Sequence, residues 1–241
     1  MRPGWRRPRP AASSVRRRRG RCGGGRPSSS RRPRRWPGPA GRQQLAAEHP
    51  GLGTITVDTT DPASITAVRD ELTIRYPALD TVITMAGIME PEDLRDPASL
   101  DVAERTVEVN LLGPIRLISA FLPGLLAQPA ATVMTVSSGL AYVPLPATPT
   151  YNATKAAIHS YTESLRVQLF KSNVQVIELV PPATRTTLMN QQNSDVAMPL
   201  EDFLDEVMGL LEADPEAEQI LVERVKWQRI VETSSGGTTG Q

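Results

Sequence analysis

The sequence predicts an α/β protein in which a parallel β-sheet carries helices on both faces. Short apolar runs typical of buried strands occur at 79–84, 131–136 and 174–180. Longer stretches with helical periodicity separate these runs, so that strands and helices alternate along the chain. A length of 241 residues suffices for a single domain of this kind with a substantial core.

The first part of this pattern shows clear helix ends. Pro50–Gly51 is expected to stop a first helix, and Asp61–Pro62 to cap a second one that runs to about Tyr76. Between them, 53–58 alternates apolar and polar residues, which predicts a strand.

The second part continues the alternation. Residues 98–126 carry one long apolar stripe, and Gly113–Pro114 is expected to kink this helix near Asn110. The remaining predicted elements are a helix at 150–171, a polar loop at 183–196, a helix at 199–213, a short strand near 220–225 and a disordered tail at 233–241.

Residues 1–42 differ from the rest in composition. They contain fifteen arginines and seven prolines but no lysine and no acidic residue. The remaining chain has twelve basic residues against all 26 acidic ones, a net charge of −14. We therefore expect a disordered cationic segment at 1–42, followed by one domain at 43–232.

Three interpretations of 1–42 stay open. The segment can be a disordered arm that binds nucleic acid or an anionic surface. It can be an Arg-rich targeting peptide, although it lacks the apolar face that such peptides usually have. It can also be out-of-frame sequence, because GC-rich codons read in the wrong frame yield Arg, Pro, Gly, Ala and Ser.

Cysteine content and hydropathy indicate the cellular compartment in which we expect the protein. Cys22 is the only cysteine, so no intrachain disulfide can form. No apolar run approaches the roughly 20 residues of a membrane span. We expect a cytoplasmic protein without a membrane partner and without a metal.

The residues best suited to chemistry lie between Ser138 and Lys155. Tyr151 and Lys155 are four positions apart, so they share one face of the predicted helix. An ammonium group beside a phenol favours the phenolate, so Lys155 is expected to lower the pKa of Tyr151. Ser138 follows a predicted strand, which can hold its hydroxyl over the same site.

Other candidate residues also follow predicted strands. Asp58, Met85–Gly87, Ser137–Ser138 and Pro181–Thr186 each stand just after one. Parallel strands end at the same edge of a sheet, where ligands bind in such folds.

The spacing of Ser138, Tyr151 and Lys155 resembles the signature of the short-chain dehydrogenase/reductase family, over about residues 43–226. The resemblance implies a doubly wound, Rossmann-like oxidoreductase. Such enzymes transfer hydride between NAD or NADP and a small carbonyl compound or secondary alcohol. By the same analogy the protein is expected to be a homo-oligomer.

The resemblance also implies catalytic roles. Tyr151 would exchange a proton with the carbonyl oxygen, and Ser138 would hold that oxygen. Lys155 would lower the pKa of Tyr151 and bind the nicotinamide ribose. Asn110 would fix a water molecule that relays protons to Lys155.

Further positions resemble the cofactor-binding residues of the family, beside Tyr151 and Lys155 themselves. Asp58 looks like the acid that touches the adenine. The turn of Met85, Ala86 and Gly87 looks like the family's Asn-Ala-Gly turn, with Met85 in place of Asn. The loop from Pro182 resembles the one that reaches the nicotinamide, with Thr186 on its carboxamide.

One family feature is missing. The family opens with a strand, a glycine-rich turn and a helix that hold the pyrophosphate. Gly23–Gly25 has no predicted strand before it and no helix after it, so we do not assign it that role. The choice between NAD and NADP is therefore open. Two alternatives to an active oxidoreductase stay open: a catalytically inactive family member with a cationic arm, and a fragment that scarcely folds. If the protein is an oxidoreductase, we expect no nucleic-acid partner.

Overall fold

The computed structural model of the chain describes residues 39–235 and the side chains from 44 to 230. Two compact units are divided between Thr54 and Ile55. The described part of the first unit contains helix α1 (Pro39–Glu48), which ends just before Pro50 as predicted. Gly51 has a φ angle of 97°, which glycine tolerates best. Helix α1 starts four residues before the predicted boundary at 43, and 1–38 lie outside the described residues.

A parallel sheet organises the second unit. Its described strands are β1 (Thr81–Thr84), β2 (Ala131–Val136), β3 (Val174–Val180) and β4 (Gln219–Leu221), in the spatial order β1-β2-β3-β4. Each neighbouring pair runs parallel. The predicted α/β class and parallel sheet are therefore confirmed.

Helices cover both faces of this sheet. The described helices of the second unit are α2 (Pro62–Arg75), α3 (Ser99–Val107), α4 (Gly113–Leu126), α5 (Pro149–Leu169), α6 (Leu200–Ala213) and α7 (Glu223–Ser235). Along β2, Val133 belongs to a core cluster with Ile118 of α4, and its neighbour Met134 to a second cluster with Phe203 of α6. Side chains thus alternate between two cores, as expected of a doubly wound sheet.

The prediction of a strand at 53–58 is wrong. No described strand pairs with this segment, and β1 has a ladder on one side only, with β2. A strand exists only where a neighbour supplies its hydrogen bonds, so an alternating sequence without that neighbour stays irregular. Ile83, in the middle of β1, is 51% exposed, which marks β1 as an uncovered edge among the described residues.

The long helix predicted at 98–126 forms with a defect at the expected place. A π turn (Glu108–Leu112) separates α3 from α4 and contains Asn110. Pro114 has no N–H to donate to the carbonyl oxygen of Asn110, four residues earlier, and the N–H of Gly113 donates to the oxygen of Glu108 instead. The proline thus widens this turn and gives the Asn110 side chain its place in the fold.

The same helical stretch, Ser99–Leu126, is long and apolar enough to cross a membrane by length and composition alone. The sequence prediction that no apolar run approaches the length of a membrane span did not anticipate this helix. Ile118 and Leu125 are each only 1% exposed because they pack in the core of the sheet. Packing against the sheet thus accounts for apolar residues of this stretch.

The C-terminal elements differ in detail from the prediction. The last strand ends at Leu221, and Glu223 opens α7, so the strand predicted to reach about 225 is shorter. Helix α7 continues to Ser235, three residues into the predicted disordered tail. Residues 236–241 lie outside the described part of the chain.

Candidate active site

Three of the predicted segments meet at the carboxyl edge of the sheet. Met85–Gly87 follows β1, Ser137–Ser138 follows β2 and Pro181–Thr186 follows β3. Because β1, β2 and β3 are parallel neighbours, these segments emerge side by side. Asp58 does not follow a strand, since 53–58 forms none, and its predicted placement at a strand end is therefore wrong.

Ser138 is held by the turn that follows β2. It is buried and forms the N-cap of a 3₁₀ turn (Gly139–Ala141), in which its Oγ accepts a hydrogen bond of 3.1 Å from the N–H of Leu140. Gly139 lies so close to the Gln228 side chain of α7 that a Cβ atom there would overlap it. The backbone thus fixes the position of the Ser138 hydroxyl.

Tyr151 and Lys155 project from the first turns of α5, which starts at Pro149. Both are buried, and the Lys155 ammonium lies 5.6 Å from the centre of the Tyr151 ring. The Tyr151 and Ser138 hydroxyls are hydrogen-bonded to each other. The Lys155 Nζ donates a 2.8 Å hydrogen bond to the carbonyl oxygen of Val136, the last residue of β2. The structure therefore brings Ser138, Tyr151 and Lys155 together.

The protonation of this group differs from the sequence prediction. Burial raises the pKa of Tyr151, and the hydrogen bond with Ser138 only partly opposes that rise. Burial also lowers the pKa of Lys155 to about 8. The expectation that Lys155 lowers the pKa of Tyr151 is thus wrong for this state, because desolvation decides the direction of the shift and the Lys155 ammonium bonds the Val136 carbonyl oxygen instead. Tyr151 is a protonated phenol at neutral pH.

Asn110 is almost fully buried, and its side chain forms hydrogen bonds with the segment after β1. Its Oδ1 accepts from the Ile88 N–H at 2.8 Å, and its Nδ2 donates to the Ile88 carbonyl oxygen at 2.7 Å. A longer contact of 3.5 Å joins Nδ2 to Oγ1 of Thr154 on α5. The Asn110 amide therefore connects the segment that follows β1 to α5. The predicted role of Asn110 in holding a water molecule stays a prediction.

The residues predicted to bind the cofactor mainly contact residues that are near them in sequence. Asp58 is exposed, and its Oδ1 accepts from both the N–H and the hydroxyl of Thr60. Met85 is 61% exposed. Thr186 Oγ1 accepts a 3.3 Å hydrogen bond from the Leu188 N–H, so it supports the start of a 3₁₀ turn (Leu188–Asn193). The Pro182 carbonyl accepts from Thr184.

The described residues suit one end of a nicotinamide dinucleotide better than the other. A phenol, a hydroxyl and a buried amine meet at the sheet edge, which fits the reacting end of such a cofactor. Between 39 and 235 no strand leads through a glycine-rich turn into a helix N-terminus, the arrangement that binds a pyrophosphate. The site fits the nicotinamide half and offers no cradle for the pyrophosphate among these residues.

Sequence reasoning missed two residues of this region. Glu178 stands in the middle of the apolar strand β3 and is completely buried, and His159 of α5 bonds its carboxylate. A charged residue inside an apolar strand run was the available signal, because such a group is buried only with partners.

Comparisons with known proteins agree with the fold and the site. A family model for short chain dehydrogenases matches residues 37–197. The oxidoreductase DltE of Bacillus subtilis is 37% identical over 155 residues, 64% of this chain and 60% of that protein. The NADPH-dependent 1-acyldihydroxyacetone phosphate reductase of Schizosaccharomyces pombe is 31% identical over 142 residues, 58% of this chain and 47% of that protein. The chain thus spans about half of these relatives.

Solved structures show the same fold. An alcohol dehydrogenase from Thermococcus sibiricus, complexed with 5-hydroxy-NADP, superposes with a TM-score of 0.66 at 21% identity, over 75% of this chain and 80% of that one. A short-chain dehydrogenase from Streptomyces avermitilis gives a TM-score of 0.70 at 20% identity, over 80% and 79% of the two chains. Together with the family match over two thirds of the sequence, these results show that the chain belongs to the short-chain dehydrogenase family.

Proposed function

We propose that the protein is an NAD- or NADP-dependent oxidoreductase that reduces a small carbonyl compound to an alcohol. The observation that carries this proposal is the buried contact of Ser138, Tyr151 and Lys155 at the carboxyl edge of the sheet. The names of the relatives, an oxidoreductase and an NADPH-dependent reductase, support the same class of reaction.

The proton chemistry of the site favours the direction of reduction. The raised pKa of Tyr151 keeps its hydroxyl protonated at neutral pH, so it can donate that proton to a carbonyl oxygen. The Ser138 hydroxyl, already bonded to Tyr151, would hold the same oxygen. Reduced nicotinamide, when bound, supplies the hydride that the carbonyl carbon accepts. Alcohol oxidation would need a phenolate, which burial disfavours.

The proposal gives Lys155 an electrostatic role. With a pKa near 8 the amine is still largely protonated at pH 7. Its charge, 5.6 Å from the Tyr151 ring, would stabilise the phenolate that remains after the proton has moved. The same ammonium is the natural donor for a nicotinamide ribose once it leaves Val136.

Cofactor affinity is expected to be weak. Asp58, Met85–Gly87 and the loop from Pro182 to Thr186 would have to hold the cofactor without a pyrophosphate cradle among the described residues. Binding energy at remote groups normally contributes much of the affinity of a dinucleotide. We therefore expect cofactor concentrations of about a millimolar or more to be needed, which corresponds to roughly −4 kcal/mol of binding free energy.

We also propose that the protein self-associates through α5. In the C-terminal part of α5, Leu165 and Leu169 pack in the core of the described unit. Val167 is 77% exposed, and Phe170, at the end of the helix, is 81% exposed. These two side chains are the apolar surface that another subunit would cover.

A second candidate function rests on the arginines of 1–42. Fifteen positive charges without an acidic residue suit an arm that binds nucleic acid or another anionic surface, beside a domain that is catalytically inactive. Salt-sensitive DNA binding that disappears when residues 1–42 are deleted, in a protein without reductase activity, would favour this candidate.

The proposed activity is tested by following oxidation of the reduced cofactor. We expect the 241-residue chain to oxidise NADPH or NADH slowly when a small aldehyde or ketone is added, with a rate that keeps rising into the millimolar cofactor range. Absorbance of the reduced nicotinamide measures this, and the matched control is the same mixture without the carbonyl compound. A complete lack of carbonyl-dependent oxidation at every cofactor concentration would contradict the proposal.

A further inference from the structure

A row of polar residues crosses the sheet just below the candidate active site. The strand register places Thr84, Thr135, Glu178 and Gln219 opposite one another on β1 to β4. Glu178 is the charged member and lies on β3, an interior strand, with no exposed surface. Interior strands of parallel sheets are normally apolar, so a carboxylate persists there only with partners.

Two side chains bond the Glu178 carboxylate. Its Oε2 is 2.8 Å from His159 Nδ1 and 2.7 Å from Gln219 Nε2. The Ser137 hydroxyl and Glu178 Oε1 are both buried and have no hydrogen-bond partner among the described residues. Burial acts to raise the pKa of Glu178, but the hydrogen bonds of the carboxylate outweigh it and the pKa is lowered. The hydrogen bond to Glu178 raises the pKa of His159. Both shifts favour the charged form of the pair.

The carboxylate reaches the loop after β2 through Gln219. That loop starts at Ser137, whose N–H donates to the Leu179 carbonyl oxygen of β3 at 3.0 Å. At the other end of the loop, the Gln219 amide that bonds Glu178 also donates to the Tyr142 hydroxyl at 2.8 Å. The edge of the Tyr142 ring packs against the His159 ring, with centres 5.3 Å apart. Ser138, which bonds Tyr151, lies between Ser137 and Tyr142 in this loop.

Deepening the proposed function, on which it rests, we propose that Glu178 is a positioning residue for Ser138. The start of the segment 137–142 is fixed by the backbone bond of Ser137 to β3, and the Glu178–His159 pair holds Tyr142, at its other end, through Gln219. We call this hold on the segment the clamp. With the clamp intact, the Ser138 hydroxyl stays aligned with that of Tyr151. With the clamp broken, the segment loosens and the alignment is lost.

The charged groups around Glu178 and His159 favour an ion pair between these two residues over a metal site. Ligand atoms of His159, Glu163 and Glu178 lie within 4.8 Å of one another. The His159 Nδ1 is already bonded to Glu178, and Glu163 is bonded to Arg166. Arg229, whose guanidinium lies 5.0 Å from the centre of the Tyr142 ring, adds a positive charge that opposes protonation of His159. A further cation would have to displace these contacts.

The test replaces Glu178 by Gln, which keeps the shape and removes the charge. Amide hydrogen exchange of Leu140, whose N–H donates to Ser138 Oγ, reports the loosening of the segment without any cofactor. We expect this amide to exchange at least about tenfold faster in Glu178→Gln, since the expected loss equals roughly 1.4 kcal/mol of local stability.

A second readout follows Tyr151 itself. The hydrogen bond with Ser138 lowers the pKa of Tyr151, so its ionisation should move to higher pH when Ser138 is displaced. Tyrosine absorbance at alkaline pH measures this, and the signal of Tyr151 is isolated by subtracting the titration of the same variant carrying Tyr151→Phe. A purely structural role of Glu178 would leave this ionisation unchanged.

Glu163→Gln is the matched control. It removes a neighbouring negative charge on α5 but none of the hydrogen bonds of Glu178, and we expect wild-type behaviour in both measurements. Should Glu178→Gln not fold, His159→Leu and His159→Asn replace it. Leucine removes the donor to Glu178, whereas the asparagine amide can restore it, so only the leucine variant should show the two changes.

The proposal is overturned if the folded Glu178→Gln and His159→Leu proteins keep both the exchange rate of Leu140 and the ionisation of Tyr151. These readouts are independent of turnover. If the variants show both changes but the wild-type protein never reduces a carbonyl compound, the proposed function is contradicted and the clamp is still supported.

Discussion

Replacing Tyr151 by Phe is expected to lower carbonyl reduction roughly a thousandfold, the scale of a lost general acid. Phenylalanine keeps the buried ring and removes only the hydroxyl that bonds Ser138 and would protonate the carbonyl oxygen. The free energy of unfolding should change by about 1 kcal/mol, the usual contribution of one hydrogen bond. Initial rates at millimolar NADPH and urea unfolding measure the two effects.

Tyr161→Phe is the control for this experiment. Tyr161 lies on the same helix, where it packs against the core cluster around Ile118 rather than at the sheet edge. We expect its removal to leave the rate unchanged. If Tyr151→Phe retained more than about a tenth of the wild-type rate, a loss below the range of general acid catalysis, Tyr151 would not be the proton donor.

Replacing Lys155 by Met is expected to change how stability depends on pH. The pKa of Lys155 is about 8 in the folded chain, against 10.5 for the free side chain. Below pH 8 the folded protein must bury a charge that the unfolded chain keeps in water. The resulting loss of stability is fully present at pH 7 and disappears as pH rises from 8 towards 10.5.

The measurable quantity is the difference in unfolding free energy between Lys155→Met and wild type. Between pH 7 and pH 10 this difference should shift by about 2 to 3 kcal/mol in favour of wild type. The lost hydrogen bond to Val136 affects the variant at both pH values, so it does not alter this shift. Urea unfolding at the two pH values measures it, with Lys171→Met, an exposed lysine after α5, as control. A difference independent of pH would mean that Lys155 is not desolvated as described.

Much of the fold was predictable because hydrophobic periodicity and helix-capping residues determine secondary structure locally. The strands at 131–136 and 174–180 form with the predicted bounds, and Asp61 caps α2 through a 2.9 Å bond to the Ala63 N–H. The segment 53–58 shows the limit of such reasoning. Its alternation is a local property, but a strand also needs a neighbour, and no described strand stands next to it.

The candidate site was predictable to a similar degree. The four-residue spacing placed Tyr151 and Lys155 on one face of α5, and the strand end placed Ser138 near them. Their pKa values were not predictable, because these depend on how deeply the tertiary fold buries each group. The ion pair of Glu178 and His159 escaped prediction since it joins a strand to a helix nineteen residues away in sequence.

The central claim is that the described residues form the proposed catalytic half of a dehydrogenase site and offer no cradle for the rest of the dinucleotide. Reduced nicotinamide mononucleotide, which lacks the adenylate half of the cofactor, tests it directly. Its affinity and that of NADH are compared by titrating the 241-residue chain and following tyrosine and tryptophan fluorescence.

We expect the two dissociation constants to agree within about threefold, both near or above a millimolar, because the adenylate half gains little where residues 39–235 offer no pyrophosphate cradle. An NADH affinity a hundredfold higher than that of the mononucleotide, about 2.7 kcal/mol in binding free energy, would contradict the claim.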